Sequence, residues 1–118
     1  MNPKIDISVE HHSDVAVVKV AGEVDLYSSP ELRQAVLTEA ERRPSKLIVD
    51  LTGVQYMDSS GVATLVEGLQ KLERGGGELV LCGLNDMVQE VFKLTRLDSV
   101  FQILPNLEEA LAEESAGA

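Results

Sequence analysis

Apolar residues along this chain recur with two different periods, and the switches between them outline the fold. Lys4 to Glu10 alternates strictly, with Ile5, Ile7 and Val9 on one side and Lys4, Asp6, Ser8 and Glu10 on the other. A period of two marks a strand with one buried face. His11-His12-Ser13-Asp14 reads as a polar turn, and Val15 to Ala21 as a second strand, apolar at Val15, Val17, Val18 and Val20. A short turn between two such runs predicts a hairpin, hence an antiparallel pair. Gly22 to Tyr27 leaves that strand, and a helix follows that buries Leu32, Ala35, Val36 and Ala40. Its cap is Ser28 or Ser29. Ser29 before Pro30 fits a cap plus first helical position, whereas Ser28 with Glu31 fits a capping box. Arg42-Arg43 suits the negative end of the helix dipole, and Pro44 stops the helix.

The chain is organised around the next stretch, Leu47 to Leu72. Leu47 to Leu51 is apolar except for Asp50 and is bounded by Thr52-Gly53, which reads as a buried strand. Met57-Asp58-Ser59-Ser60-Gly61 follows, and then Val62, Leu65, Val66, Leu69 and Leu72 recur at helical spacing. Gly75-Gly76-Gly77 supplies a residue that tolerates the left-handed conformation of a helix C-cap. Glu78 to Gly83 is a near-continuous apolar run of the kind buried on both faces. Asn85 or Asp86 caps a third helix with Val88, Val91 and Phe92 inward, a short strand lies around Phe101 to Leu104, and Asn106 with Glu109 opens a last helix through Leu107, Ala110 and Leu111. A hairpin followed by helix–strand repeats predicts an α/β fold with a mixed sheet, antiparallel at one edge and flanked by about four helices. Residues 1–118 suit one domain with a core of about 4–112, and residues 113–118 should fray.

Composition narrows the function. Two Phe, two Tyr and no Trp leave an aliphatic core. A formal net charge of −10 argues against nucleic acid or an anionic membrane surface, which need clustered Lys and Arg, and favours a basic protein partner or simply a solvated acidic surface. The single Cys82 lies in an apolar run and reads as a small buried hydrophobe, compatible with a reducing compartment. The first ten residues lack an apolar signal core, and no run approaches the roughly 20 residues of a membrane span, so a cytoplasmic protein without membrane insertion is expected.

Two serines sit where a loop turns into a helix. Asp58, Ser59 and Ser60 can each cap the unpaired N–H groups there, and the same geometry attracts an anion. A serine in this place is either a cap or a phosphate acceptor. Enzyme motifs are missing. There is no Gly-x-Ser-x-Gly elbow, no glycine-rich phosphate loop before a helix, no HExxH and no paired-cysteine spacing. His11 and His12 have no second His/Cys cluster to join and read as a solvated turn, so neither metal nor cofactor is expected. Asp50, near the end of a buried strand, superficially suits an aspartyl-phosphate receiver, but the acidic pair and late lysine of such a site are missing. Asp50 is instead expected to hydrogen-bond nearby backbone, since an unpaired buried charge is costly.

Met57-Asp58-Ser59-Ser60-Gly61 resembles the phosphorylation motif of anti-sigma-factor antagonists in the STAS family. Gly22-Glu23-Val24-Asp25 is similar to the family's Gly-Glu-aliphatic-Asp at the end of its second strand, Leu47-Ile48-Val49-Asp50-Leu51 to the strand before the motif, and Gly76-Gly77-Glu78-Leu79 to the turn into the next strand. The resemblance spans about Ile5 to Leu111. It implies a four- to five-stranded mixed sheet and a non-enzymatic switch. In that switch the first serine after the aspartate, here Ser59, is phosphorylated by a kinase that doubles as the anti-sigma factor. The bare antagonist binds that kinase and frees sigma, and a PP2C-type phosphatase resets it. The resemblance implies a partner-binding surface of Asp25, Asp58, Ser59, Ser60 and Gly61, with Glu23 beside it. The alternative it leaves, behind the favoured antagonist role, is a constitutive accessory subunit of a transporter, such as a lipid-transport complex, or of a signalling complex. Ala63 stands where switch members often carry a second glycine.

Overall fold

The computed structural model describes residues 4–113. Among the described residues, five strands and four α-helices follow in the order β1 Ile5–His12, β2 Val15–Val24, α1 Ser29–Glu41, β3 Lys46–Met57, α2 Ser59–Arg74, β4 Glu78–Cys82, α3 Asp86–Leu94, β5 Gln102–Leu104 and α4 Leu107–Ala112. The sheet keeps chain order, β1-β2-β3-β4-β5. β1 pairs antiparallel with β2, and every other pair is parallel. The expected mixed sheet with one antiparallel edge is present.

The two sheet faces are covered unequally. On one face, Leu32, Val36 and Ala40 of α1, Val62, Leu65 and Leu72 of α2, and Val88 and Phe92 of α3 pack on Val18, Val20, Leu47, Val49, Leu51 and Leu81. Full burial of such side chains contributes roughly 1.5–3 kcal/mol each. Gly68 lets α2 close on α1, because a Cβ there would stand 2.5 Å from Val36 Cγ1. Phe92 meets Phe101 edge-on, with centroids 5.5 Å apart. The other face has a small cluster, Val17, Ile48, Val80, Cys82 and Ala110, under α4 alone. There the buried Lys46, 2% exposed, donates from Nζ to the carbonyl oxygens of Ala110 at 2.8 Å and Glu113 at 2.5 Å. Its charge thus terminates α4, whose last carbonyls lack intrahelical partners.

Three boundaries differ from the sequence reading. β1 runs on through His11 and His12, so only Ser13 and Asp14 turn the hairpin, Ser13 with φ 55°. β1 is an edge strand, where polar side chains on a ladder incur no burial penalty, and the two histidines point opposite ways. His11 Nε2 lies 2.6 Å from Glu39 Oε1 of α1, and His12 Nε2 lies 3.2 Å from Glu10 Oε1. β2 and β3 both continue past their expected ends, at Ala21 and Leu51, to Val24 and Met57. Register shifts after Lys19 and Gly22 break the alternation there and return Val24, Val54 and Met57 to the core. Gly53 does not end the strand. It makes room for Ala21, whose Cβ would lie 2.7 Å from a Cβ at that position. Residues 114–118 of the expected frayed end lie outside the described residues.

Candidate functional site

The parallel pairing of β2 with β3 sets Val24 opposite Met57, so both strands deliver their following loops to the same end of the sheet. Asp58 N donates to Val24 O at 3.0 Å and ties the loops together. Asp25 and the run Asp58-Ser59-Ser60, more than 30 residues apart in sequence, are therefore brought to one sheet end.

Each loop is built around an aspartate. Asp25 Oδ1 accepts from the backbone N–H of Tyr27 at 2.9 Å and of Ser28 at 3.0 Å, an Asx turn. Its other oxygen pairs with Lys4. The Lys4 ammonium foremost, helped by the two N–H donors, holds the Asp25 carboxyl at about 2, against a burial effect of opposite sign. Ser28 takes the N-cap position of α1, yet its hydroxyl does not cap. Ser28 Oγ donates to Glu23 O at 2.7 Å and accepts from Asp25 N at 2.9 Å. Neither capping arrangement anticipated for Ser28 or Ser29 forms, because closing the Asp25 loop takes the Ser28 hydroxyl and Ser29 is already the first residue of the helix. Pro30 in the first turn needs no hydrogen bond for its nitrogen.

In the second loop Asp58 is the cap. Its extended backbone turns into α2, and Oδ1 accepts from Ser60 N at 2.9 Å and Ser60 Oγ at 2.5 Å. Asp58 O receives the N–H groups of Gly61 and Val62. The amides of Ser60, Gly61 and Val62 are thus engaged within the first turn, so less open N–H remains at this helix end than a bare helix start would offer. The two serines differ. Ser60 is half-buried and its hydroxyl is held by Asp58, whereas Ser59 is exposed and its hydroxyl makes no hydrogen bond among the described residues. Gly61 is buried, and a Cβ there would lie 2.7 Å from Val24 Cγ1 and 2.8 Å from Met57 Cγ. It seats the start of α2 on the ends of β2 and β3.

The remaining singled-out residues fall elsewhere. Asp50 Oδ1 accepts from Thr52 N at 3.0 Å and Thr52 Oγ1 at 2.5 Å, the local backbone bond expected of it. Cys82 is fully buried, and burial, with Asp50 beside it, pushes its thiol up to about 12. Glu23 is exposed and lies opposite Tyr56 in the ladder. Lys4, Ser28 and the exposed Leu26-Tyr27 pair were not singled out for the site from the pattern. Lys4 carried one signal, a cation just before the strand whose partner, β2, ends at Val24, next to Asp25.

The family is settled by a match of the STAS domain model over residues 6–110. The chain belongs to the STAS domain family. It is 36% identical over 103 residues to the anti-sigma-B factor antagonist of Listeria monocytogenes, an alignment covering 87% of this chain and 90% of that one. An anti-sigma factor antagonist from Mycobacterium paratuberculosis superposes with a TM-score of 0.84 at 33% identity, over 91% of each chain. The fold is shared with SpoIIAA of Bacillus, solved in an unphosphorylated form (TM-score 0.77, 23% identity, 90% of this chain and 93% of that one) and a phosphorylated form (0.72, 22%, 90% and 96%). This STAS domain thus sits among anti-sigma factor antagonists. Among its described residues no helix is long and apolar enough to cross a membrane.

Proposed function

We propose that this chain is a one-domain, cytoplasmic, non-catalytic binding switch. Bare, it binds an anti-sigma factor that is also a serine kinase and so frees sigma factor. Phosphorylated on Ser59 it lets go, and a PP2C-type phosphatase restores it. The observation that carries the choice of acceptor is the division of labour between the serines. Asp58 ties the Ser60 hydroxyl into the helix cap, while the Ser59 hydroxyl stands exposed and uncommitted in the same turn. Asp25, Asp58, Ser60 and Gly61 frame the surface around it, Gly61 by seating the helix start.

A phosphate on Ser59 adds roughly −1.5 to −2 charges. The neighbouring first-turn amides are already engaged and Asp58 is adjacent, so the added charge is directed outward rather than absorbed by the helix end. A partner docked there meets bulk and unpaired charge, which costs about several kcal/mol of binding. The fold needs no change, because no existing bond uses the Ser59 hydroxyl.

The test is affinity purification of tagged wild-type and Ser59→Ala chains from the native cells, with each retained protein assayed for ATP-dependent phosphorylation of the wild type. One retained protein should phosphorylate Ser59 and stay bound to Ser59→Ala when ATP is added, while leaving the wild type. A complex that stays intact with ATP on both chains contradicts the switch and supports a constitutive subunit.

A further inference from the structure

The four aromatic residues of this chain are sorted by place. Phe92 and Phe101 are buried, whereas Tyr27 and Tyr56 are exposed, and both tyrosines stand at the end of β2 and β3 that carries Ser59. Tyr27 is 84% exposed and the adjoining Leu26 68%. Single exposed apolar side chains are ordinary on a protein surface. The mounting of this pair is not. Asp25 Oδ1 takes the N–H groups of Tyr27 and Ser28, Ser28 Oγ bridges Glu23 O and Asp25 N, and Ser29 N donates to Asp25 O at 2.8 Å. Lys4 clamps Asp25 from β1's end and sets its ammonium 5.9 Å from the Tyr27 ring centroid. These bonds fix the loop and leave its two largest side chains facing water.

We propose that Leu26 and Tyr27 form the apolar anchor with which the bare protein docks into an apolar pocket rimmed by Lys and Arg on its kinase partner, an inference that rests on the function proposed above. Tyrosine on a fixed backbone has only two side-chain torsions to lose on binding, and aromatics are enriched among the residues that dominate interface energy. The rim chemistry follows from charge. Lys4 neutralises Asp25 beside Tyr27, which leaves Glu23 and Asp58, in no ion pair among the described residues, as the open charges at this sheet end of a chain of net charge −10, so a basic rim is complementary and an acidic one repels. The anchor also accounts for how the switch acts. A partner burying an ordinary ~800 Å² on this chain and seated on Tyr27 also covers the adjoining Ser59 loop, because Asp58 N is bonded to Val24 O. Affinity then comes from the Leu26-Tyr27 loop and control from Ser59.

The probe is the purified kinase that phosphorylates Ser59 in the experiment above, titrated against wild type, Leu26→Ser, Tyr27→Ala and Tyr27→Phe. Leu94→Ser serves as control, since Leu94 is as exposed (76%) but lies at the far end of α3. Tyr27→Ala should weaken binding at least about 10-fold. Leu26→Ser should weaken it several-fold, with Tyr27→Phe and Leu94→Ser within about two-fold of wild type. Phosphorylation of Ser59 in Tyr27→Ala should show a raised KM at unchanged kcat. Tetranitromethane nitration of the wild-type complex supplies a readout independent of any variant, with Tyr27 protected on binding. Tight wild-type binding with Tyr27→Ala and Leu26→Ser unaffected, or with Tyr27 still nitrated, overturns the anchor and leaves the switch standing. No wild-type binding to any Ser59 kinase overturns both.

Discussion

The loops after β2 and β3 are alike in construction and opposite in what they expose. Each follows a strand of the same parallel pair, each leads into a helix, and each is folded around an aspartate that accepts two bonds from residues just ahead of it. The Asp25 loop uses up its serine inside and turns Leu26 and Tyr27 outward. The Asp58 loop uses up its second serine and leaves the first outside. One backbone solution thus leaves different groups exposed, an apolar pair in one loop and a hydroxyl in the other, and hydrogen-bond satisfaction decides which serine hydroxyls are taken up. A hydroxyl committed to a cap or a loop closure is a poor substrate, because phosphorylating it removes a donor from a built network.

The largest expected contrast between the loops is in binding. Phosphate on Ser59 should weaken the kinase complex by about 100-fold or more, measured by calorimetry, while the melting temperature of the isolated chain stays within about 2 °C. Comparable losses on phosphorylating Ser59 and on altering Ser60 would erase the distinction between the two serines. Next comes Gly61→Val. Its added atoms meet Val24 and Met57, and overpacking of this kind costs about 1–3 kcal/mol, read from urea denaturation. Asp58→Ala should remove the cap and cost about 1 kcal/mol by the same measurement, with Asp58→Asn recovering most of it. The smallest effect concerns the other loop. Asp25 titrates at about 2 when folded, against about 3.9 unfolded. Its contribution to stability is therefore complete above pH 4 and lost as pH falls from 4 towards 2. Lys4→Met should move the Asp25 midpoint upward, followed by NMR of the carboxyl carbon, and shrink that acid-dependent loss.

Much of this arrangement was legible in the chain. Strict alternation located β1, the stripe of Val62, Leu65, Leu69 and Leu72 located α2, the Asn106 cap accepts from Glu109 N as its spacing requires, and of Asn85 and Asp86, between which the pattern did not choose, Asn85 is the cap and accepts from Val88 N. The glycine run also behaves as read. Gly76 takes φ 83°, while Gly77 N and Gly76 N close on Leu72 O and Glu73 O. Features that depend on tertiary partners were not legible. The paired extensions of β2 and β3 cross register shifts, where a period-two reading loses phase and Thr52-Gly53 looks like a turn. The role of Ser28 depends on Glu23 O and Asp25 N competing for its hydroxyl, which a capping rule does not weigh. Lys46 counts as polar in any pattern, yet it is buried under α4 because two carbonyls 64 and 67 residues away accept hydrogen bonds from its Nζ.

The most direct test of the switch is site-resolved mass spectrometry of the peptide containing Ser59, taken from the native cells across growth conditions. Phosphate on Ser59 that rises and falls with condition, with Ser60 unmodified, is the expected result. Full coverage of that peptide with no phosphate under any condition would contradict it, and Ser59 would then be only the first residue of a helix that Asp58 caps.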